Sequence, residues 1–138
     1  MEKPAERSDI KSRADIERLV NTFYEYVHKD ALLAPVFNLP PERWEYHLNR
    51  TYNFWENWLF QTGNYGGGLM WAHLEKNQTH PFQKAHFEHW LSIWFGTVDA
   101  LFTGPRAEFI KSKALEIGGW MFGHIDRLNQ EQGPKTQQ

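Results

Sequence analysis

At 138 residues the chain is the size of one domain and long enough to bury a sizeable core. Fifteen Lys and Arg against 17 Asp and Glu give a formal charge of -2 without basic runs, so no nucleic-acid footprint is visible. The absence of cysteine excludes disulfides, thiolate zinc sites, iron–sulfur clusters and covalent haem attachment through Cys-x-x-Cys-His, leaving nitrogen or oxygen ligands for any cofactor.

The opening "MEKPAERSDIKSRAD" lacks the apolar block of a secretion signal, and no run approaches the length of a membrane span, so a cytoplasmic protein without a membrane partner is expected. Residues 1–11 read as a flexible extension, followed by one domain over residues 12–128. Ser12 and Asp15 have the spacing of a capping box. Behind them Ile16, Leu19, Val20, Phe23, Tyr24 and Val27 repeat at three and four, predicting a first amphipathic helix. It ends near "HKDALLAPVF", where Pro35 disfavours helix at Ala34, and "NLPP" completes the break. From Pro41 a second helix carries Trp44, His47, Leu48, Thr51, Tyr52, Trp55, Trp58 and Leu59 on its inward stripe.

"TGNYGGG" ends helical order because clustered glycines cost too much backbone entropy in a helix interior. A short segment with His73 follows. The spacing then predicts a long helix with Phe87, Trp90, Leu91, Trp94, Val98 and Leu101 on one face, stopped by Gly104 and Pro105. A last helix from Arg106 places Ile110, Ala114, Ile117, Met121, Ile125 and Leu128 toward the core, and residues 129–138 read as a flexible tail. Strand-like alternation is absent, so the fold class is all-α with four main helices.

Aromatic residues make up 16% of the chain, with 7 Trp and 10 Phe, which suits either an aromatic core or a pocket for a large flat ligand. Seven histidines compete for a chemical role. Glu25 and His28 form half of a di-iron motif whose other half is missing. His86 and His89, three apart, lack a third ligand nearby in sequence and read as solvated surface. His80 precedes Pro81 and suits a turn, while His124 is expected in the last turn of the final helix, at the negative end of its dipole. His47 and His73 differ because apolar and aromatic residues surround them. A histidine on an apolar face is more often a satisfied core residue than a ligand. Tyr24, His47 and Trp90, however, occupy the inner stripes of three helices, and each polar tip needs a buried partner. One small polar ligand would serve all three.

Taken in order, "FYEYV" with Tyr24, "APVFN" with Phe37, "WEYHLNRTYNFW" with His47, the "HL" of His73 after a glycine loop and "HFEHWLSIW" with Trp90 resemble the group III (P-type) truncated haemoglobins, spanning roughly residues 16–121. The resemblance implies a truncated globin with a two-over-two helical sandwich, haem b as cofactor and His73 as the proximal iron ligand. It also implies that Phe37 packs on the haem and that Tyr24, His47 and Trp90 line the distal side, where they would act on a bound ligand. Arg50 matches a basic position able to meet a haem propionate. Thr51 departs from the aliphatic residue that many relatives carry there.

A single imidazole on iron would leave the opposite axial position open to a diatomic ligand. A phenol O–H from Tyr24 and an indole N–H from Trp90 could both donate to bound O2, favouring retention over delivery. His47 could donate as well, swing outward, or bind iron itself when no ligand is present. Two readings of different class stay open: binding or sensing of O2 or nitric oxide, and a redox activity of peroxidase or nitric oxide detoxification type recycled by an unidentified reductase. A third discards haem and treats the chain as a helical interaction module with His47 and His73 merely packed.

Overall fold

The computed structural model describes residues 7–63 and 83–136. Among these lie four helices: α1 (Arg13–Val27), α2 (Pro41–Phe60), α3 (Lys84–Leu101) and α4 (Pro105–Thr136). None is long and apolar enough to cross a membrane. Helix α1 packs on both α2 and α3, α4 packs on α3, and α4 also reaches α2.

The three-four rhythm of α1 is realised in packing. Ile16, Leu19, Val20 and Val27 are completely buried, and Phe23 nearly so. Burying each such side chain stabilises the fold by about 1.5–3 kcal/mol relative to leaving it exposed. Asp15 serves the helix start, but its Oδ2 accepts from Lys11 N at 2.7 Å, and the Ser12 side chain makes no capping bond. The break after α1 is a turn fixed by Asp30, whose Oδ1 accepts from Leu32 N at 2.9 Å and Leu33 N at 3.0 Å. This turn buries Leu33, Val36 and Phe37.

Helix α2 begins with Pro41 at a position whose N–H would have no intrahelical acceptor, so the proline costs nothing there. It ends at Gln61 in the left-handed region, φ 57°, whose N–H bonds Asn57 O. Trp55 and Thr51 of the expected inward stripe are buried, but Trp58 is 40% exposed and lies under the Lys113 ammonium at 4.5 Å. Helix α3 opens with a reciprocal cap. The Gln83 side chain accepts from the His86 backbone, and His86 Nδ1 accepts from Gln83 N at 2.8 Å.

The structure gives contacts to residues 7–11 and helix to residues 129–136, both of which the sequence suggested as flexible segments. Residues 7–11 were expected in a flexible extension, yet Ile10 is completely buried and Asp9 caps α4 from across the chain. Asp9 Oδ2 accepts from Arg106 N and Oδ1 from Ala107 N, both at 2.9 Å. Ser8 O accepts from Thr103 N at 3.0 Å, and Arg7 donates to the Asp99 carbonyl. Gly104 makes the approach possible. It has φ +132°, and a Cβ there would sit 2.7 Å from Asp9 Cγ. At the other end α4 continues to Thr136, through the stretch expected to be a tail from residue 129 onward. His124 therefore lies inside α4, away from its last turn, stacked on Trp120 at 6.1 Å with their planes 9° apart.

Candidate functional site

A cleft opens between α1, the turn after it, and the three other helices, with about 840 Å3 of empty space counting its open mouth. Tyr24, Leu33, Phe37, His47 and Thr51 line one side, and Phe87, Trp90, Gly118, Met121 and Phe122 line another. Most of this surface is ring or aliphatic carbon, with Tyr24, His47 and Thr51 where α1 meets α2 and His86 at the start of α3 as its polar groups.

Tyr24 comes from the inner stripe of α1 and is buried, its ring edge-on to Phe23 at 4.9 Å and to Trp44 at 4.9 Å. His47 sits one α2 turn after Trp44 and presents Nε2 to the Tyr24 hydroxyl at 3.0 Å. Thr51, one turn further, donates from Oγ1 to the His47 carbonyl at 2.9 Å. Burial pushes the Tyr24 phenol well above the ordinary tyrosine range, while a hydrogen bond with Thr51 pulls the other way. The outcome is a neutral phenol with its proton in place at physiological pH.

The opposite wall owes its flatness to stacked rings. Trp90 lies parallel to Trp94, 4° between planes and 6.5 Å between centroids, and Trp94 stacks on Trp55 at 5.1 Å. Phe87 stacks on Phe122 at 5.6 Å. Trp94 is pinned by its Nε1–H, which donates to Ile110 O at 3.2 Å, so α3 and α4 hold the wall jointly. Gly118 completes it, since a Cβ there would lie 2.8 Å from Phe87 Cε1 and 3.0 Å from Trp90 Cζ3.

Of the residues singled out from sequence, Tyr24, Phe37, His47, Thr51 and Trp90 converge on this cleft. Arg50 does not line it; its guanidinium lies over the Tyr46 ring at 5.1 Å and Nη1 donates to Tyr46 Oη at 2.5 Å. His73 and His80 lie outside the described residues. His86, taken from sequence as solvated surface, is a cleft residue, and its Gln83 cap explains why: the reciprocal bond turns the imidazole back over the helix start. The capping-box spacing of Gln83 and His86 was the available signal. His89 and His28 are held elsewhere, His89 Nδ1 by Asp30 Oδ2 at 2.9 Å and His28 Nε2 by Phe37 O at 3.2 Å.

No family model matches the sequence. A group 3 truncated haemoglobin from Campylobacter jejuni, however, is 30% identical over 110 residues, covering 77% of this chain and 84% of that protein. The chain belongs to the group III truncated haemoglobins. The crystal structure of a group III truncated haemoglobin from Campylobacter jejuni superposes with a TM-score of 0.76 at 27% identity, over 87% of this chain and 95% of the other. The all-α truncated-globin fold expected from the ordered motifs is thus the fold of the chain.

The cleft suits the cofactor of a haemoglobin. Its ring-lined walls match a flat apolar macrocycle, and the Tyr24, His47 and Thr51 cluster offers hydrogen bonds at one position, as a small polar ligand requires.

Proposed function

We propose that this truncated haemoglobin is a cytoplasmic protein that binds haem b in the cleft and holds O2 or another small diatomic ligand, with His73 as the proximal iron ligand and Tyr24, His47 and Trp90 on the distal side. The observation that carries the reading is the buried, protonated Tyr24 hydroxyl, 3.0 Å from His47 Nε2 inside a cleft lined mostly by rings and aliphatic side chains. Held by these residues, a haem would supply the iron to which a small diatomic ligand binds.

The chain's own residues do the rest. Phe37 and the Trp90 wall keep bulk water from the ligand position and strengthen any hydrogen bond made there. Tyr24 keeps its proton because burial disfavours the phenolate, so it serves as a donor toward a partly negative ligand oxygen. Such a bond contributes on the order of 1 kcal/mol net, more where the acceptor carries charge. His47, bonded to Tyr24, fixes the direction of the phenol. The Trp90 indole faces the same cleft and is a donor by chemistry.

The Tyr24–His47 contact also supports the second reading, a redox activity toward peroxide or nitric oxide. A proton donor and a proton acceptor side by side are what peroxide cleavage requires of its surroundings. Such an activity needs a reductase partner to recycle the cofactor.

Reconstitution with haem is the test. A strong Soret band that His73→Ala weakens or shifts and His80→Ala leaves alone supports the assignment. If neither substitution matters, the ligand assignment is wrong. Tyr24→Phe is expected to speed O2 release roughly fivefold or more, the equivalent of about 1 kcal/mol. Unchanged release removes that tyrosine from the ligand's surroundings. Turnover of peroxide or nitric oxide far above that of free haem would favour the redox reading.

A further inference from the structure

The turn between α1 and α2 carries two cleft residues, Leu33 and Phe37, and both are placed by one continuous set of hydrogen bonds. Asp30 is the centre of the set. Its Oδ1 accepts from Leu32 N and Leu33 N, and its Oδ2 accepts from His89 Nδ1 of α3 at 2.9 Å. Burial alone would raise the Asp30 carboxyl, but these three bonds hold it below the usual carboxylate range, so it stays an ionised acceptor and His89 carries a proton on Nδ1. The Leu33 peptide passes the constraint on: its N–H is fixed by Asp30, and its carbonyl accepts from Phe37 N at 3.1 Å. Phe37 O in turn accepts from His28 Nε2, at the end of α1, at 3.2 Å. Residues 30–37 are therefore gripped from two sides, by His28 at the end of α1 and by His89 of the helix whose Phe87 and Trp90 form another wall of the cleft.

We propose that the Asp30–His89 pair is a clasp between two walls of the cleft, and that through Leu33 and Phe37 it sets how long a haem is retained there. The inference rests on the haem reading above and deepens it. Neither Asp30 nor His89 lines the cleft, so both act as positioning residues. With the His89 imidazole removed, the Asp30 turn keeps its own bonds but loses its tie to α3, and the wall bearing Phe37 gives way more readily. The Asp30 side chain is 18% exposed and that of His89 48%, so water screens the bond in part and its effect is graded.

The test is transfer of haem from the loaded protein to excess apomyoglobin, followed at the Soret band. His89→Leu keeps the bulk and removes the donor, and is expected to speed haem loss about threefold, the size of effect that a partly exposed charge-assisted bond supplies. His89→Gln, whose side-chain amide can donate in its place, restores most of the retention. Lys111→Met is the control. It breaks the ion pairs of Lys111 with Asp99 at 2.7 Å and Glu108 at 3.1 Å, residues that do not line the cleft, and is expected to leave haem loss unchanged. A His89→Leu rate equal to the parent's overturns the proposal. So does a Lys111→Met rate raised as much as that of His89→Leu, because haem loss would then follow general stability and not the clasp. Failure of the haem reading is distinct: it shows as the absence of a Soret band in the parent protein, and it removes both.

Discussion

Gly118 and Gly119 are neighbours in α4 with opposite surroundings, which makes them a controlled experiment on the cleft wall. A Cβ on Gly118 would meet Phe87 Cε1 at 2.8 Å and Trp90 Cζ3 at 3.0 Å, whereas one on Gly119 would meet nothing within 4 Å. Carbon atoms are comfortable at about 3.5–4.0 Å, so Gly118→Ala must push two rings by roughly 0.5–1 Å. Those rings belong to the stacked wall whose far end, Trp94, is tied to Ile110 O, so displacement is resisted. Overpacking of this kind costs about 1–3 kcal/mol. Both substitutions also gain helix propensity, about 1 kcal/mol each, and comparing the two variants cancels that gain. Gly119→Ala is therefore expected to be more stable than the parent, and Gly118→Ala to fall below Gly119→Ala by about 1–3 kcal/mol. In urea denaturation this is a midpoint gap of roughly 0.5–1.5 M, for a slope near 2 kcal/mol/M. Equal midpoints for the two alanines would refute the claim that Gly118 is required for the wall.

Asp9→Ala removes both side-chain bonds to the start of α4 and is expected to cost about 1–2 kcal/mol in the same assay, whereas a loss within error would return residues 7–11 to the status of a flexible extension. The Asp30 carboxyl is held below the ordinary range: burial alone would raise it, but the bonds from His89, Leu33 N and Leu32 N outweigh that penalty. Its stabilising effect is therefore present above the unfolded value near pH 4 and lost as pH falls through the lower folded value. Asp30→Asn should flatten the acid limb of a stability-against-pH curve, and an unchanged limb would show that the carboxylate does not anchor the turn.

Much of the site was legible because helical periodicity assigns faces. Tyr24, His47 and Trp90 fall on inward stripes at three-four spacing, and inward stripes of packed helices converge, so three polar tips in apolar company announce a shared cleft. Arg50 shows the limit of the same logic. One turn from His47 places it near the cleft by sequence, but its planar cation prefers the adjacent Tyr46 ring and hydroxyl. Thr51 was visible as a polar residue among apolar ones, while the direction of its proton depends on the His47 carbonyl and had to be seen. The Asp9 cap was hidden for another reason. Capping signals are sought within four residues of a helix start, and this one arrives from 97 residues away, with Gly104 clearing the approach. Residues 129–136 of α4 carry no apolar stripe, and "GP" within them reads as a stop, so nothing in the pattern marked the helix as continuing.

The opening residues find their partners at Asp99, Thr103, Arg106 and Ala107, near the far end of the chain. These residues lie 92 to 98 positions before their partners, so their bonds form only once the end of α3 and the start of α4 have been synthesised. Closing a loop of about a hundred residues costs only a little more entropy than closing a short one, but it comes late and all at once. The edge that residues 7–10 form along the α3–α4 junction of this globin is therefore a late seam, closed after most of the chain between its two sides has been made.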